Sequence, residues 1–326
     1  PIKTGAETNT TRLGSTPMAS MFPTASPEKI IDSLVTDGIA NKAFPGCQVL
    51  LAKDGKIFFD KAYGTPAYGD SLPVTTDHIY DLASVTKVAA TTLAVMKLYD
   101  QGKIHLSDTV GKFLPTSRRT NKSSLKIGEI LAHEAGLQDW IPFYRETLHD
   151  GVPDTSIYST SFSDRFSVKV AENIFISKSY QDTIFKRILE SPLKSDKSYK
   201  YSDLGFILLK MIVEKISGVP FSQYLDENFY RPLGLTTLTF NPLEKFPSER
   251  ICPTENDQEF RTQLIRGYVH DPAAAMLGGI SGHAGLFGTS RDLAVILQMM
   301  LNKGEYGGKR FISAETVQLF TKTYDP

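Results

Sequence analysis

Apolar residues recur every three or four positions in several stretches of the chain, and two runs have strand character. Ile30, Ile31, Leu34, Val35 and Ile39 fall on one face of 27–40, which predicts an amphipathic helix. Ser26 stands where an N-cap belongs and Pro27 at the first helical position. Residues 47–52 and 56–62 read as strands, and Asp54-Gly55 between them is a hairpin signal. From about Asp81 the pattern turns mostly helical. Residues 84–99 are apolar and alanine-rich, with Gly102 just past their end. Residues 127–133 predict a short helix ended near Gly136. Leu204, Ile207, Leu208, Met211, Ile212 and Ile216 keep helical spacing up to Gly218. Residues 221–230 and 291–301 predict two more helices. The stretch 277–288 reads as a glycine-rich loop, and 150–200 is polar and unassigned.

This order implies an α+β fold: an antiparallel sheet flanked by helices, plus a mostly helical region. Residues 1–26, rich in Thr, Ser, Pro and Gly, read as a linker or extended arm. Residues 27–326 read as one domain, with 27–80 starting its α/β part and 81–300 forming the helical part. A chain that opens at Pro1 with such an arm reads as a processed product or an excised domain.

Composition narrows the function little. The 326 residues carry 36 Lys plus Arg against 36 Asp plus Glu, a net charge of zero. Nothing there argues for a nucleic-acid or anionic-membrane partner. Cys47 and Cys252 stand far apart and suit neither a disulfide framework nor a metal site; two semi-buried thiols are the expectation. The longest apolar run, 204–213, is cut by Lys210, so no membrane span is expected.

The candidate chemistry begins with Ser-x-x-Lys, which occurs four times, at Ser26/Lys29, Ser84/Lys87, Ser123/Lys126 and Ser191/Lys194. Only Ser84 precedes a long apolar helix. At the first turn of that helix, free N–H groups and the positive dipole end favour an oxyanion. Lys87, three residues on, shares its face. Burial would lower its pKa and let the amine take the serine proton. The alternative is an N-cap serine with a solvent-facing lysine. Tyr-x-Asn/Asp recurs at Tyr68, Tyr201 and Tyr224. Tyr201 stands just before the 204–216 helix and is the candidate proton relay, with Asp203 as partner of Lys87. Its alternative is a helix cap at Ser202 or Asp203 beside a packed tyrosine. His133-Glu134 lacks the second histidine of a zinc protease, and Gly279-Ile280-Ser281-Gly282-His283 is not a nucleophile elbow. No metal or cofactor is expected.

In order along the chain, 44–49 (Phe-Pro-Gly-Cys-Gln-Val), 80–87 (Tyr-Asp-Leu-Ala-Ser-Val-Thr-Lys) and 130–137 (Ile-Leu-Ala-His-Glu-Ala-Gly-Leu) are succeeded by 201–206 (Tyr-Ser-Asp-Leu-Gly-Phe) and 282–294 (Gly-His-Ala-Gly-Leu-Phe-Gly-Thr-Ser-Arg-Asp-Leu-Ala). This set resembles the serine β-lactamase and penicillin-binding-protein superfamily, in particular class C β-lactamases, D-alanyl-D-alanine carboxypeptidases and related esterases. It is most similar to the β-lactamase-like domain fused behind family 3 β-N-acetylhexosaminidases in Bacteroidetes. The resemblance implies an acyl-enzyme on Ser84, with Lys87 and Tyr201 sharing the proton work and a peptide, amide or ester as substrate. It also implies a periplasmic or cell-surface setting and a fused N-terminal glycoside hydrolase domain in the parent. The rival is a non-catalytic accessory or binding domain of a larger exported hydrolase.

Two departures qualify the resemblance. The middle motif usually ends in Asn and here ends in Asp203, which favours a charged lysine and disfavours efficient β-lactam hydrolysis. The third motif, Lys/His-Thr/Ser-Gly on a strand, is matched in letters by His283-Ala284-Gly285. The chain just beyond these letters reads as a helix start at Thr289, so the expectation is that the C-terminal strands are missing from the chain. Trp140 and His283 are candidate pocket-lining residues, a packed core tryptophan being the alternative for the first.

Overall fold

Asp54-Gly55 closes a hairpin. In the computed structural model, which describes residues 12–24 and 27–324, the strands Gly46–Lys53 and Lys56–Gly64 pair antiparallel. Asp54 and Gly55 both have positive φ, 51° and 72°, as a two-residue type I′ turn demands. A register shift between Leu51 and Ala52 marks a bulge. Gly14–Ser15, from the stretch read as linker or arm, pairs parallel with Lys56 and Ile57. Among the described residues this sheet has these three strands. The helix Pro27–Ala40 leans on the strand Lys56–Gly64. A single strand covers only part of its apolar face, so Ile30 and Leu34 stay exposed. The expected cap, Ser26, lies outside the described residues.

The main core surrounds the helix Leu204–Ser217, whose Leu204, Phe206, Ile207, Leu208, Leu209, Ile212 and Val213 are all buried. Gly218, at φ 76°, ends it as the sequence predicts. A side chain at Gly205 would collide with Ile130, so the glycine lets the helix Ile127–Leu131 approach closely. That short helix stops before the expected end at Gly136. His133 takes a left-handed conformation, φ 60°, and its carbonyl accepts the Lys200 N–H across the fold at 2.8 Å. The single helix predicted over 84–99 is two pieces, a π-helical stretch Lys87–Thr92 and an α-helix Leu93–Asp100. The Thr92 hydroxyl donates to the Lys87 carbonyl at 2.7 Å, supporting the widened turn. Beyond it, Phe221–Leu225 runs into a second π turn, Asp226–Tyr230.

Two polar or glycine-rich stretches hold more structure than their patterns show. Within 150–200, Tyr158–Ser159, Val168–Ala171 and Ile174–Ile176 form a three-stranded sheet, and the helix Tyr180–Glu190 comes after it with only Ile184 and Ile188 buried. Two buried positions are too few to make a periodic signal. The glycine-rich 277–288 is not loop throughout. Its end, Leu286–Gly288, is the middle strand of a sheet between Thr239–Phe240 and Tyr80–Asp81. A strand therefore comes directly after His283-Ala284-Gly285, where none was expected before the helix start at Thr289. That strand belongs to a small sheet of its own and does not extend the hairpin. The helix Ser290–Leu301 comes next, capped by the Thr289 hydroxyl on the Asp292 N–H. Cys47 is half-buried, Cys252 buried, and both are free thiols. No helix of the described residues is long and apolar enough to cross a membrane.

Candidate active site

Ser84 stands at the exit of the strand Tyr80–Asp81, in the turn that leads into the π-helical stretch. The turn is locked to the neighbouring strand: the Leu82 N–H donates to the Leu286 carbonyl at 2.9 Å, and the Leu286 N–H donates to Thr86 Oγ1 at 3.0 Å. Ser84 is exposed, and its backbone N–H has no acceptor among the described residues. One helical step inward, Lys87 is buried, its side chain 4% exposed. Its Nζ lies 2.9 Å from Ser84 Oγ, 2.6 Å from Asp203 Oδ1 and 3.1 Å from the His283 carbonyl oxygen. An ammonium has three protons, and here each has an acceptor. Of the other Ser-x-x-Lys pairs, Ser26/Lys29 has its serine outside the described residues. Ser123/Lys126 and Ser191/Lys194 show no hydrogen bond between their side chains among the described residues.

The residues 201–203 are zipped to the segment 133–139. The Ser202 N–H donates to His133 Nδ1 at 3.1 Å, the Ser202 hydroxyl to the Gln138 carbonyl at 2.5 Å, and the Asp203 N–H to the Asp139 carbonyl at 2.8 Å. Asp203 immediately precedes the helix Leu204–Ser217, yet its side chain caps no helical N–H. Its carboxylate turns to Lys87 instead, which decides between the two sequence alternatives for this position. Tyr201 is 41% exposed and not packed in the core. Its ring lies under the amine, 4.7 Å from Lys87 Nζ to the centroid, and stacks on His133 at 4.5 Å. The Tyr201 hydroxyl has no hydrogen-bond partner among the described residues. Burial pushes the His133 pKa down, the Lys87 charge adds to this, and Asp203 opposes it. A neutral imidazole is what accepting the Ser202 N–H requires.

His283 does not present its imidazole to Ser84. Only its backbone carbonyl meets Lys87. The ring is buried, with Nδ1 2.8 Å from Ser281 Oγ and Nε2 2.8 Å from Asp271 Oδ1. This placement corrects the letter match to the third motif and makes the residue part of the lysine's support. Gly282 permits it, because a side chain there would strike the Phe206 carbonyl oxygen. Asp271 also caps the helix Pro272–Met276 by accepting the Ala274 N–H. Burial pushes the Asp271 carboxyl up, but the charge and hydrogen bond of His283 and the Ala274 N–H outweigh it and hold it at about 2. Asp203, Asp271 and His283 bring one ligand atom each within 4.8 Å of the others. Those atoms are committed, however, Asp203 to Lys87 and Asp271 to His283. Trp140 is 51% exposed and, with Tyr144, Asp203, Asp271 and His283, lines a cleft beside the lysine; it is not a packed core residue.

The structure thus brings Ser84, Lys87, Tyr201, Asp203 and the His283 backbone together, with Trp140 on the adjoining wall. Sequence reasoning missed Asp271 and Ser281, which carry no pattern of their own. It also missed the role of His133, although that residue lies in one of the five matched stretches.

Comparison with known proteins places the chain in a family and a fold. The Beta-lactamase family model matches residues 31–326. A protein of Escherichia coli (strain K12) named "Putative D-alanyl-D-alanine carboxypeptidase" is 34% identical over 305 residues, covering 85% of this chain. The chain spans 65% of that relative's length. Among solved structures, the octameric penicillin-binding protein homologue from Pyrococcus abyssi superposes with a TM-score of 0.65 at 24% identity, over 90% of this chain and 59% of that one. The D-amino acid amidase from Ochrobactrum anthropi SV3 gives 0.64 at 17% identity, over 90% and 74%. At such identities these two matches speak for the α+β fold alone.

Proposed function

Because the chain belongs to the β-lactamase family, we propose that it is a serine hydrolase acting through an acyl-enzyme on Ser84. The observation that carries this is the 2.9 Å contact between Ser84 Oγ and a buried Lys87 Nζ whose other protons are both held. Ser84 Oγ attacks the substrate carbonyl carbon, and its proton passes to the group formed by Lys87, Asp203 and Tyr201. With all three ammonium protons engaged, Lys87 becomes an acceptor by passing one to Asp203, 2.6 Å away. The tetrahedral oxyanion falls to the free Ser84 N–H. Collapse breaks the bond to the leaving group, which takes up a proton from the same three residues. Water then adds to the acyl-enzyme, and release of the acyl group restores the Ser84 hydroxyl.

The substrate class we propose is a peptide, amide or ester, with a D-alanyl peptide or other cell-wall fragment as first choice. The name of the Escherichia coli relative, "Putative D-alanyl-D-alanine carboxypeptidase", supports this. A periplasmic or cell-surface setting, and fusion to a glycoside hydrolase in the parent, belong to the same proposal and are supported by the sequence resemblance only. The test is to incubate the chain with a fluorophosphonate and a fluorescent penicillin and to map any adduct. We expect an adduct on Ser84 that S84A lacks. A folded wild-type chain, and a version extended past residue 326, that both stay unlabelled would return the domain to the non-catalytic accessory reading.

A further inference from the structure

Ala83, the residue just before the nucleophile, is held at φ 44°. A residue with a Cβ is disfavoured in this left-handed region, so something must hold it there. Asp81 Oδ1 accepts the Ala83 N–H at 2.8 Å. The Ala83 carbonyl accepts from the Thr86 N–H at 3.1 Å and from the Thr86 hydroxyl at 2.6 Å. The second carboxylate oxygen, Asp81 Oδ2, accepts the His270 N–H at 2.6 Å and faces the Thr254 hydroxyl at 3.4 Å. The residue directly after His270 is Asp271, the partner of the His283 ring.

From these contacts, and resting on Ser84 as the nucleophile, we propose that Asp81 is a positioning residue whose two oxygens tie the nucleophile turn to the segment that sets Lys87. The contacts close a ring. Asp81 fixes Ala83 and hence Ser84 on one side. On the other it fixes His270 and Asp271, which pin His283, whose carbonyl holds Lys87 3.1 Å away. Lys87 closes the ring on Ser84 at 2.9 Å. A carboxylate is suited to this because both oxygens accept. Asn offers one acceptor and would turn an N–H₂ toward a backbone N–H. Burial pushes the Asp81 carboxyl up on balance, and the His270 and Ala83 N–H groups oppose it only in part.

The test is saturation kinetics of fluorophosphonate labelling in the full chain, which separates the maximal rate of Ser84 modification from the reagent's binding constant. We expect D81N to lower the maximal rate on the order of tenfold or more while leaving the binding constant and most of the thermal stability in place. Adding A83G, which makes the left-handed conformation easy, should recover part of that rate. A wild-type maximal rate in D81N overturns the proposal, and so does an equal loss whether residue 83 is Ala or Gly. Should D81N fail to fold, D81E keeps the charge but displaces both oxygens. The same drop in rate at unchanged binding is then expected, and a wild-type rate overturns the proposal. A wild-type chain that does not label at all overturns the Ser84 reading, and this proposal with it. A labelled wild type beside an equally fast D81N overturns this proposal alone.

Discussion

Among the described residues two lysines are buried, Lys87 and Lys122, and they are held in opposite ways. Lys87 has a carboxylate, a carbonyl and the Ser84 hydroxyl around its amine. Lys122, completely buried, reaches only neutral oxygens: the Ser191 carbonyl at 2.5 Å and Asn121 Oδ1 at 2.7 Å. Among the described residues no carboxylate lies within ion-pair distance of it. Desolvation accordingly pushes its pKa down to about 8. The Ser191 it holds is the residue after the helix Tyr180–Glu190, so Lys122 works as a clamp on a helix end. Burial alone therefore does not give a lysine the surroundings proposed for catalysis at Lys87. The Lys87 site differs in having a hydroxyl open to solvent on one side and an anion on the other to take or return a proton.

The largest contrast is expected in activity. K87M should slow Ser84 labelling by roughly 10²–10⁴-fold, and K122M should leave the labelling rate of the folded protein unchanged. Equal losses in the two variants, read by active-site titration, would erase the distinction between them. A smaller effect is expected from D203A, which removes the anion and leaves Lys87 with neutral acceptors, as Lys122 has. Labelling should fall about 10–100-fold, the worth of one charge-assisted hydrogen bond, and a wild-type rate would show that Lys87 needs no carboxylate. The smallest effect is on stability. K122M removes one of two donors to the Ser191 carbonyl, the Asn121 amide remaining at 3.1 Å, and should cost about 0.5–1.5 kcal/mol, measured by chemical denaturation.

The sign of the pH dependence sharpens this last point. The folded Lys122 pKa of about 8 lies below the ordinary 10.5, so between those values the unfolded chain binds more protons than the folded one. Stability from this group is therefore fully present above 10.5 and lost as pH falls through 8. The gap between wild type and K122M should widen from pH 8 to pH 10. A gap that narrows would place a counter-charge beside the amine.

Much of the site was legible in the sequence because its chemistry is local. Ser84 and Lys87 lie one helical step apart, so their meeting follows from the helix itself. Asp203 was offered as the lysine's partner, but taken alone helix capping was the better reading of its triplet. His133, Asp271 and Ser281 were not readable in these roles. His133 and Asp271 act through contacts with residues distant in sequence, and Ser281 touches a ring that distant contacts have turned toward it; none of these leaves a periodic trace. His283 shows the hazard most plainly. Its letters match a substrate-facing motif, whereas its ring is buried between Ser281 and Asp271 and only its carbonyl reaches the site.

By itself the sequence determined the hairpin and its turn, the long apolar helices, and the one-turn spacing of Ser84 and Lys87. In each case the cause is short-range: side-chain period, a Gly at positive φ, or neighbours one turn apart. Only the tertiary structure decided that Leu286–Gly288 is a strand, that Asp203 faces Lys87 and not its own helix, and that His283 supports the lysine with a backbone atom. Those outcomes depend on which distant segments pack together, because hydrogen bonds across the fold are satisfied by position and not by pattern.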